Sequence, residues 1–294
     1  ADAHPDGACE GGLMELDRLT GRTYGPVRVR IQPGQVAAYV EATGDDPARW
    51  RAVAPPSFAS ALLFAVAPMF LSDPIVSSEV RSILHGEQTF EWHRALDIDT
   101  PVEVTGSVER VRVRSGAAFV TFGMTVDDGA PLVEGVSLFV ASAERGSPGN
   151  DAGEPDVESR GPNDTPSPAD LTQAGEGIWP LRKSASRADL VKYAGASHDW
   201  NPIHWDHSSA VAAGLEGVIV HGLLSAAWIT QAAARYDASD HPLARARFRF
   251  RSPLRPAVAT RVTGEVIDGA EARMRMALES DDDLHVAAEV AVTR

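Results

Sequence analysis

Two stretches of this 294-residue chain repeat each other at a nearly fixed distance. Tyr39 is followed six residues later by Asp45, and Tyr193 six residues later by Asp199, an offset of 154. Phe90-Glu91-Trp92 matches Phe248-Arg249-Phe250, and Val104-Thr105-Gly106 matches Val262-Thr263-Gly264, both at an offset of 158. Such agreement is the mark of an internal duplication, and it restricts the fold to two similar units in tandem.

The order of elements repeats too. In the second half Ser186, with Asp189 three residues on, forms a capping-box pattern. Leu190, Val191, Tyr193 and Ala194 give the helix behind it an apolar face. A loop from Ser197 to Trp205 follows, broken by Asn201-Pro202. Asp206 is placed to cap a short helix that ends at Gly214. His221-Gly222 opens a longer helix, in which Leu223, Leu224, Ala227, Trp228 and Ala232 recur with helical period. Strand-like runs close the half at Ala244–Ser252, Arg261–Ile267, Arg273–Glu279 and His285–Thr293. The first half offers a helix near Val36–Ala42, a long apolar helix from Ser57, and strands near Thr89, Val102, Ala118 and Leu132. A helix apolar on most sides must be wrapped rather than laid on a surface. The pattern therefore predicts an α+β chain of two units, each an antiparallel sheet around a central helix.

Between the halves, Arg145 to Gly177 is rich in Gly, Pro, Ser and Asp and nearly free of large apolar residues. It has too little to bury to offset its ordering entropy and reads as a flexible linker. The expected division is 13–144, a linker at 145–177, and 178–294. With 44% hydrophobic and 23% charged residues the composition is globular. Asp and Glu outnumber Lys and Arg by 41 to 27, a net charge of -14, which argues against nucleic-acid and anionic-membrane partners. A lone Cys9 excludes an intramolecular disulfide and a CxxC zinc site. The stretch Ala1–Gly12, with Asp2, Asp6 and Glu10, does not read as a signal peptide. The longest apolar run, Phe58–Leu71, has 14 residues and contains Pro68, short of the ~20 a spanning helix needs. A cytoplasmic protein is expected.

The chemistry concentrates in Tyr193–Ala210, YAGASHDWNPIHWDHSSA, and in Gly217–Leu224, GVIVHGLL. Asp199, Asn201-Pro202, His204 and His221-Gly222, in that order and spacing, resemble the MaoC-like family of (R)-specific enoyl-CoA hydratases and acyl dehydratases. The resemblance spans about Ser186–Thr293. It implies the hot-dog fold, and for the whole chain a tandem (double) hot-dog with a degenerate N-terminal repeat. Leu84-His85-Gly86-Glu87-Gln88 and His93-Arg94 are similar in style to that repeat.

Hydrating a 2-enoyl thioester requires water to lose a proton as it attacks the β-carbon, a proton to reach the α-carbon, and the thioester oxygen to be stabilised. A carboxylate and an imidazole around one water suit the proton work, so Asp199 and His204 are the candidates. The N–H of Gly222, at the positive end of the central helix, is the candidate oxyanion donor. Asn201 would hold the water or the loop, His221 would contact substrate, and Thr230 would orient Asp199. Plainer readings stand beside these. Asp199 and Asn201 also suit Asx turns before Pro202, His204 and His221 suit core packing, and Gly222 suits close helix contact. His198, Asp199, His204, Asp206, His207 and His221 are also plausible metal ligands, but no familiar ligand spacing is present. No metal or cofactor is expected, because the thioester is itself the electron sink.

In the first half Asp45 keeps the Asp position, while Pro47 and Trp50 replace Asn and His, and Pro55-Pro56-Ser57-Phe58 stands where Val220-His221-Gly222-Leu223 stands. One catalytic site per chain is expected. Arg245, Arg247, Arg249 and Arg251 alternate with Ala246, Phe248 and Phe250, which puts the arginines on one strand face. A solvated outer sheet face explains them. Alternatively Arg249 and Arg251 receive the phosphates of coenzyme A or of a phosphopantetheine carrier. The substrate partner is then an acyl thioester, free or on an acyl carrier protein, and the chain is a monomer acting as a pseudo-dimer, or a homodimer. The rival functions are a hot-dog thioesterase and a non-catalytic acyl-thioester-binding protein.

Overall fold

The computed structural model describes residues 13–144, 147–170, 175–270 and 272–293. Cys9 and the acidic N-terminal stretch lie outside the described residues, as do 145, 146 and 171–174 of the segment between the halves.

The N-terminal half contains β1 (Thr23–Arg30), α1 (Pro33–Thr43), three short helices α2 (Ala59–Leu63), α3 (Ala67–Leu71) and α4 (Pro74–Glu79), then β2 (Ser82–Trp92), β3 (Pro101–Arg114), β4 (Ala117–Asp127) and β5 (Pro131–Ser142). The C-terminal half contains β6 (Leu181–Lys183), α5 (Arg187–Ser197), α6 (His207–Ala212), α7 (Gly222–Ala234), β7 (Leu243–Phe250), β8 (Thr260–Asp268), β9 (Arg273–Glu279) and β10 (Leu284–Val292). Local chemistry sets several of these ends. Ser186 caps α5 by accepting the Asp189 N–H at 3.1 Å, while the Asp189 carboxylate accepts the Ser186 N–H at 2.9 Å. Asp206 caps α6 by accepting the Ser209 N–H at 3.1 Å.

The two expected sheets are joined edge to edge into one antiparallel ten-stranded sheet, in the order β1-β3-β4-β5-β2-β7-β10-β9-β8-β6. The order reads alike from both ends toward the seam, where Glu87 to Glu91 of β2 pair with Arg249 to Arg245 of β7. The duplication is thus a pseudo-two-fold within one chain. Tyr39 and Tyr193, which first betray the repeat, pack together at 5.7 Å between ring centroids, and Ser60 Oγ lies 3.3 Å from the Tyr193 hydroxyl.

The halves differ at the central helix. In the C-terminal half α7 is buried on every side from Leu223 to Ala234, so its even apolarity is explained by the sheet curled around it. In the N-terminal half the long helix expected from Ser57 is broken. A 3-10 turn at Pro56–Phe58 leads into α2, the chain turns at Phe64–Val66, and α3 and α4 start afresh. Pro68 and Pro74 lack the N–H a continuous helix needs and sit in first turns instead.

The segment between the halves carries no helix or strand in its described residues, yet it is tied along the C-terminal half. Gly149 donates to Val211, Ala152 to Glu216 and Ala169 to Arg235, and Asp164 holds Arg182 at 2.8 Å. No helix among the described residues is long and apolar enough to cross a membrane.

Trp228 is fully buried inside the C-terminal sheet. Trp228→Ala is expected to lower stability by about 3–5 kcal/mol. Because one sheet spans both halves, urea unfolding followed by fluorescence and by circular dichroism should give a single coincident transition. Two separated transitions would show that the halves unfold independently.

Candidate active site

The loop after α5 is shaped by its own side chains. His198 ends the helix in the left-handed region (φ 64) and turns the chain. Ser197 Oγ accepts the Asp199 N–H at 3.2 Å and donates to the Tyr193 carbonyl at 2.7 Å. Asp199 Oδ1 accepts the Asn201 N–H, and Asn201 Oδ1 accepts the Ile203 N–H, each at 3.4 Å. Pro202 then starts one 3-10 turn that ends at His204. The Asx turns of the plainer reading are therefore present, and they bring Asp199 and His204 to one wall.

That wall belongs to a cavity of about 770 Å³ lined by both halves. His198 to His204, Val220, Gly222, Ser225, Phe250 and His285 come from the C-terminal half, and Phe64, Ala67, Val76, His85 and Phe139 from the N-terminal half. Asp199 and His204 are 8% and 7% exposed and both line this cavity. The Ile219 carbonyl can only accept, so His204 carries its proton on Nδ1 and donates it there at 2.8 Å. Its Nε2 is left with a lone pair. His221 donates from Nε2 to the Asp199 carbonyl at 3.2 Å and stacks on His204 at 3.9 Å.

Burial pushes the Asp199 carboxyl up to about 7, against the Asn201 backbone hydrogen bond that favours its ionised form. Burial pulls the His204 imidazole down to about 4, against its bond to the Ile219 carbonyl. His221 is held well below its ordinary value by burial and then by the neighbouring His204. Both rings are thus neutral near pH 7, and Asp199 titrates there.

Ligand atoms of Asp199, His204 and His221 lie within 4.8 Å of one another, so the metal reading has the right residue types. The two imidazoles, however, lie face to face with only 25° between their planes, and their in-plane lone pairs do not converge on one ion. Asp206 is occupied as a helix cap and His207 pairs with Asp151 at 3.0 Å.

The other sequence candidates fall in different places. Gly222 is the first residue of α7 and lines the cavity, at a position where helix amides have no partner in their own helix. A Cβ there would stand 3.1 Å from the Phe250 ring, a tight approach that close packing with glycine avoids. Asn201 lines the cavity. His221 does not; it is wholly buried behind His204 and supports the site rather than touching substrate. Thr230 does not orient Asp199, because its hydroxyl donates to Ala227 within α7 at 2.8 Å. Arg249 faces out from the sheet and pairs with Glu87 at 3.3 Å, as Arg245 does with Glu91 at 2.9 Å and Arg247 with Glu87 at 2.6 Å. Exposed Arg251 alone of the stripe lines the cavity mouth. His85, Phe139, Ser225 and His285 are lining residues that sequence reasoning did not single out as site residues. The only sequence signal for His85 lay in the Leu84–Gln88 motif.

The pseudo-equivalent position in the first half is closed. Asp45 is buried, accepts the Asp46 N–H at 2.7 Å, and lines no part of the cavity. Burial pushes its carboxyl up, with Lys183 among the charges opposing the shift.

Comparisons with known proteins agree with this architecture. Residues 166–288 match the family model of the MaoC like domain, and residues 18–134 match that of the FAS1-like dehydratase domain region. A solved structure named MaoC-like dehydratase superposes with a TM-score of 0.77 at 20% identity, covering 94% of this chain and 99% of that one. A conserved hypothetical protein of Mycobacterium tuberculosis, described as a double hot-dog, superposes with a TM-score of 0.64 at 12% identity, covering 93% and 96%. Over 54 residues the chain is 44% identical to a mitochondrial 3-hydroxyacyl-[acyl-carrier-protein] dehydratase of Arabidopsis thaliana, a match spanning 18% of this chain and 32% of that protein. The fold is a double hot-dog. Over residues 166–288 the C-terminal half is similar to a MaoC like domain, and the whole chain is similar in fold to MaoC-like dehydratases. The buried Asp–His cluster is consistent with a hydratase/dehydratase active site.

An unfolded aspartate ionises near 4, whereas Asp199 in the folded protein keeps its proton up to about 7. Stability from this group is therefore fully present below about pH 4 and lost as pH rises through 7. Asp199→Asn is expected to be more stable than the parent at about pH 8, by roughly 2–4 kcal/mol, with the advantage vanishing toward about pH 4. Urea unfolding across that range is the measurement; a difference independent of pH would contradict the assignment.

Proposed function

We propose that this chain catalyses the reversible addition of water to a 2-enoyl thioester, or equally the dehydration of a 3-hydroxyacyl thioester, at the Asp199–His204 wall. The observation that carries the reading is the convergence of a carboxylate, a lone-pair imidazole nitrogen and a helix-start glycine on one cavity. In the hydration direction one water bridges Asp199 and His204 Nε2. Asp199 takes a proton from that water as its oxygen bonds to the β-carbon. His204, neutral and fixed by Ile219, accepts a hydrogen bond from the second O–H of the water, which stays with the oxygen, and aims that oxygen. The electron pair of the double bond moves toward the thioester oxygen, where the Gly222 N–H receives the developing charge. Protonated Asp199 then delivers its proton to the α-carbon. Water is consumed as HO on the β-carbon and H on the α-carbon, and the enzyme returns to its starting state. A carboxyl titrating near 7 is well matched to giving and taking one proton.

The (R) configuration and the use of a carrier protein rest on resemblance, the second also on the printed name of the Arabidopsis relative. Both halves of the cavity come from one chain, so a monomer suffices. A cytoplasmic setting belongs to the same proposal, on the compositional grounds given above.

A short 2-enoyl-CoA tests the reading: loss of conjugated-thioester absorbance without free thiol is the expected result. Released thiol would instead mark a thioesterase, and binding without change a non-catalytic protein. Asp199→Asn and His204→Ala should each lower kcat by about 10²–10⁴-fold, whereas Asp45→Asn should leave it within about twofold. Equal losses for Asp45→Asn and Asp199→Asn would place a second site in the first half. For the parent, kcat/KM for hydration should rise with pH through about 7, as Asp199 ionises. A flat profile between about pH 5 and 8 would remove Asp199 as the base.

A further inference from the structure

The N-terminal half's share of the cavity wall is partly apolar, including Phe64, Ala67, Leu71, Val76 and Phe139, and partly polar, with Arg81 and three serines. His85 lies in the aromatic part, beside Phe139. This residue stands on β2, the seam strand, and the proposed mechanism makes no use of it. Its ring lies 4.9 Å from Phe139 and 5.2 Å from Phe250, centroid to centroid. Phe250 in turn packs over Gly222. His85 is therefore one aromatic ring removed from the proposed oxyanion donor, on the side built by the first half.

The ring is held in a defined direction. Gln88 Nε2 donates to the Thr89 carbonyl at 2.8 Å, which fixes the amide so that Oε1 accepts from Ser137 Oγ at 2.7 Å and from His85 Nε2 at 3.1 Å. Gln88 and Ser137 are wholly buried. They satisfy each other without His85, so the imidazole is not required to rescue them. An apolar ring would fill the space between Phe139 and Phe250 equally well. Burial brings the imidazole down to about 4, against bonds to Gln88 and the Glu87 main chain, so it is neutral near pH 7 and offers no charge to a carboxylate or phosphate. A neutral, preoriented polar group set between two aromatic rings disfavours plain hydrocarbon, which strips its hydration and returns nothing. It favours a chain bearing a neutral polar atom at that depth.

We propose that His85 is a specificity-determining residue that hydrogen-bonds a hydroxyl group on the acyl chain beyond the reacting carbons, so that the preferred thioesters carry hydroxylated rather than plain hydrocarbon chains. The proposal rests on the thioester-hydratase reading for the identity of the ligand. A hydroxyl is singled out because, with the Nε2–H given to Gln88, Nδ1 of the neutral ring can only accept, and a hydroxyl donates.

Two measurements on the full chain test it. Saturated medium-chain acyl-CoAs, unsubstituted or with a single hydroxyl at successive carbons beyond the β-carbon, are titrated by calorimetry. The matching 2-enoyl-CoAs are assayed for hydration. At one hydroxyl position the parent should bind at least about fivefold more tightly than it binds the unsubstituted chain, with a similar ratio in kcat/KM. His85→Phe keeps the aromatic packing and removes the nitrogens. It should bring that ratio to within about twofold while hydration of the unsubstituted chain persists. Gln88→Leu leaves the imidazole in place but frees it, and should cut the preference by at least about half, which keeps the test decisive if His85→Phe does not fold. No preference at any position in the parent, or a preference that these variants leave intact, overturns the proposal. The binding arm requires no turnover. Hydroxyl preference without hydration would therefore remove the reaction and keep the His85 assignment, and hydration without preference would do the reverse.

Discussion

The pairing of β2 with β7 is the contact on which the molecule turns. It fuses two curled sheets into one continuous surface and sets the halves about a pseudo-two-fold axis. It also brings His85 of the first half against Phe250, which packs over Gly222 at the start of the second half's central helix, and both halves line one cavity. The outward side of the seam is laced by Arg245, Arg247 and Arg249 against Glu87 and Glu91. Exposed pairs of this kind add little stability each, but opposite charges across neighbouring strands favour this register over a slipped one.

The duplication has had unequal consequences. One copy keeps an unbroken helix whose first residue lines the cavity. The other has prolines where a continuous helix would need N–H groups, and its pieces α3 and α4 instead form cavity wall. The lost helix of one repeat thus becomes binding space for the other. At the matching acidic position the carboxyl of Asp45 is buried away from the cavity and among the positive charges of Lys183 and Arg49.

The chemistry of the site follows from burial more than from charge pairing. Among the described residues no cation lies against Asp199, and exclusion of water moves its proton affinity toward neutrality. His204 and His221 are fixed as neutral tautomers by main-chain carbonyls, at Ile219 and Asp199 respectively. A short loop held by Asx turns thus does two jobs: it satisfies its own backbone and it aims a carboxyl whose affinity has been tuned by its surroundings.

The repeat, the capping box at Ser186, the period of α7 and the motif from Asp199 to Gly222 were all legible in the amino-acid order, because each depends on residues near one another along the chain. Asp199 and His204 could be paired on that ground alone. The rest depended on distant contacts. That the sheets merge, that the helix after Ser57 breaks, that Thr230 bonds its own helix and Arg249 faces out, and that His85 enters the cavity are decided by packing between residues many tens of positions apart. A spacing reports which residues share a turn or a face of one element. It carries no information about which face of another element will meet them, and that is settled only when the two halves bury their apolar surfaces against each other.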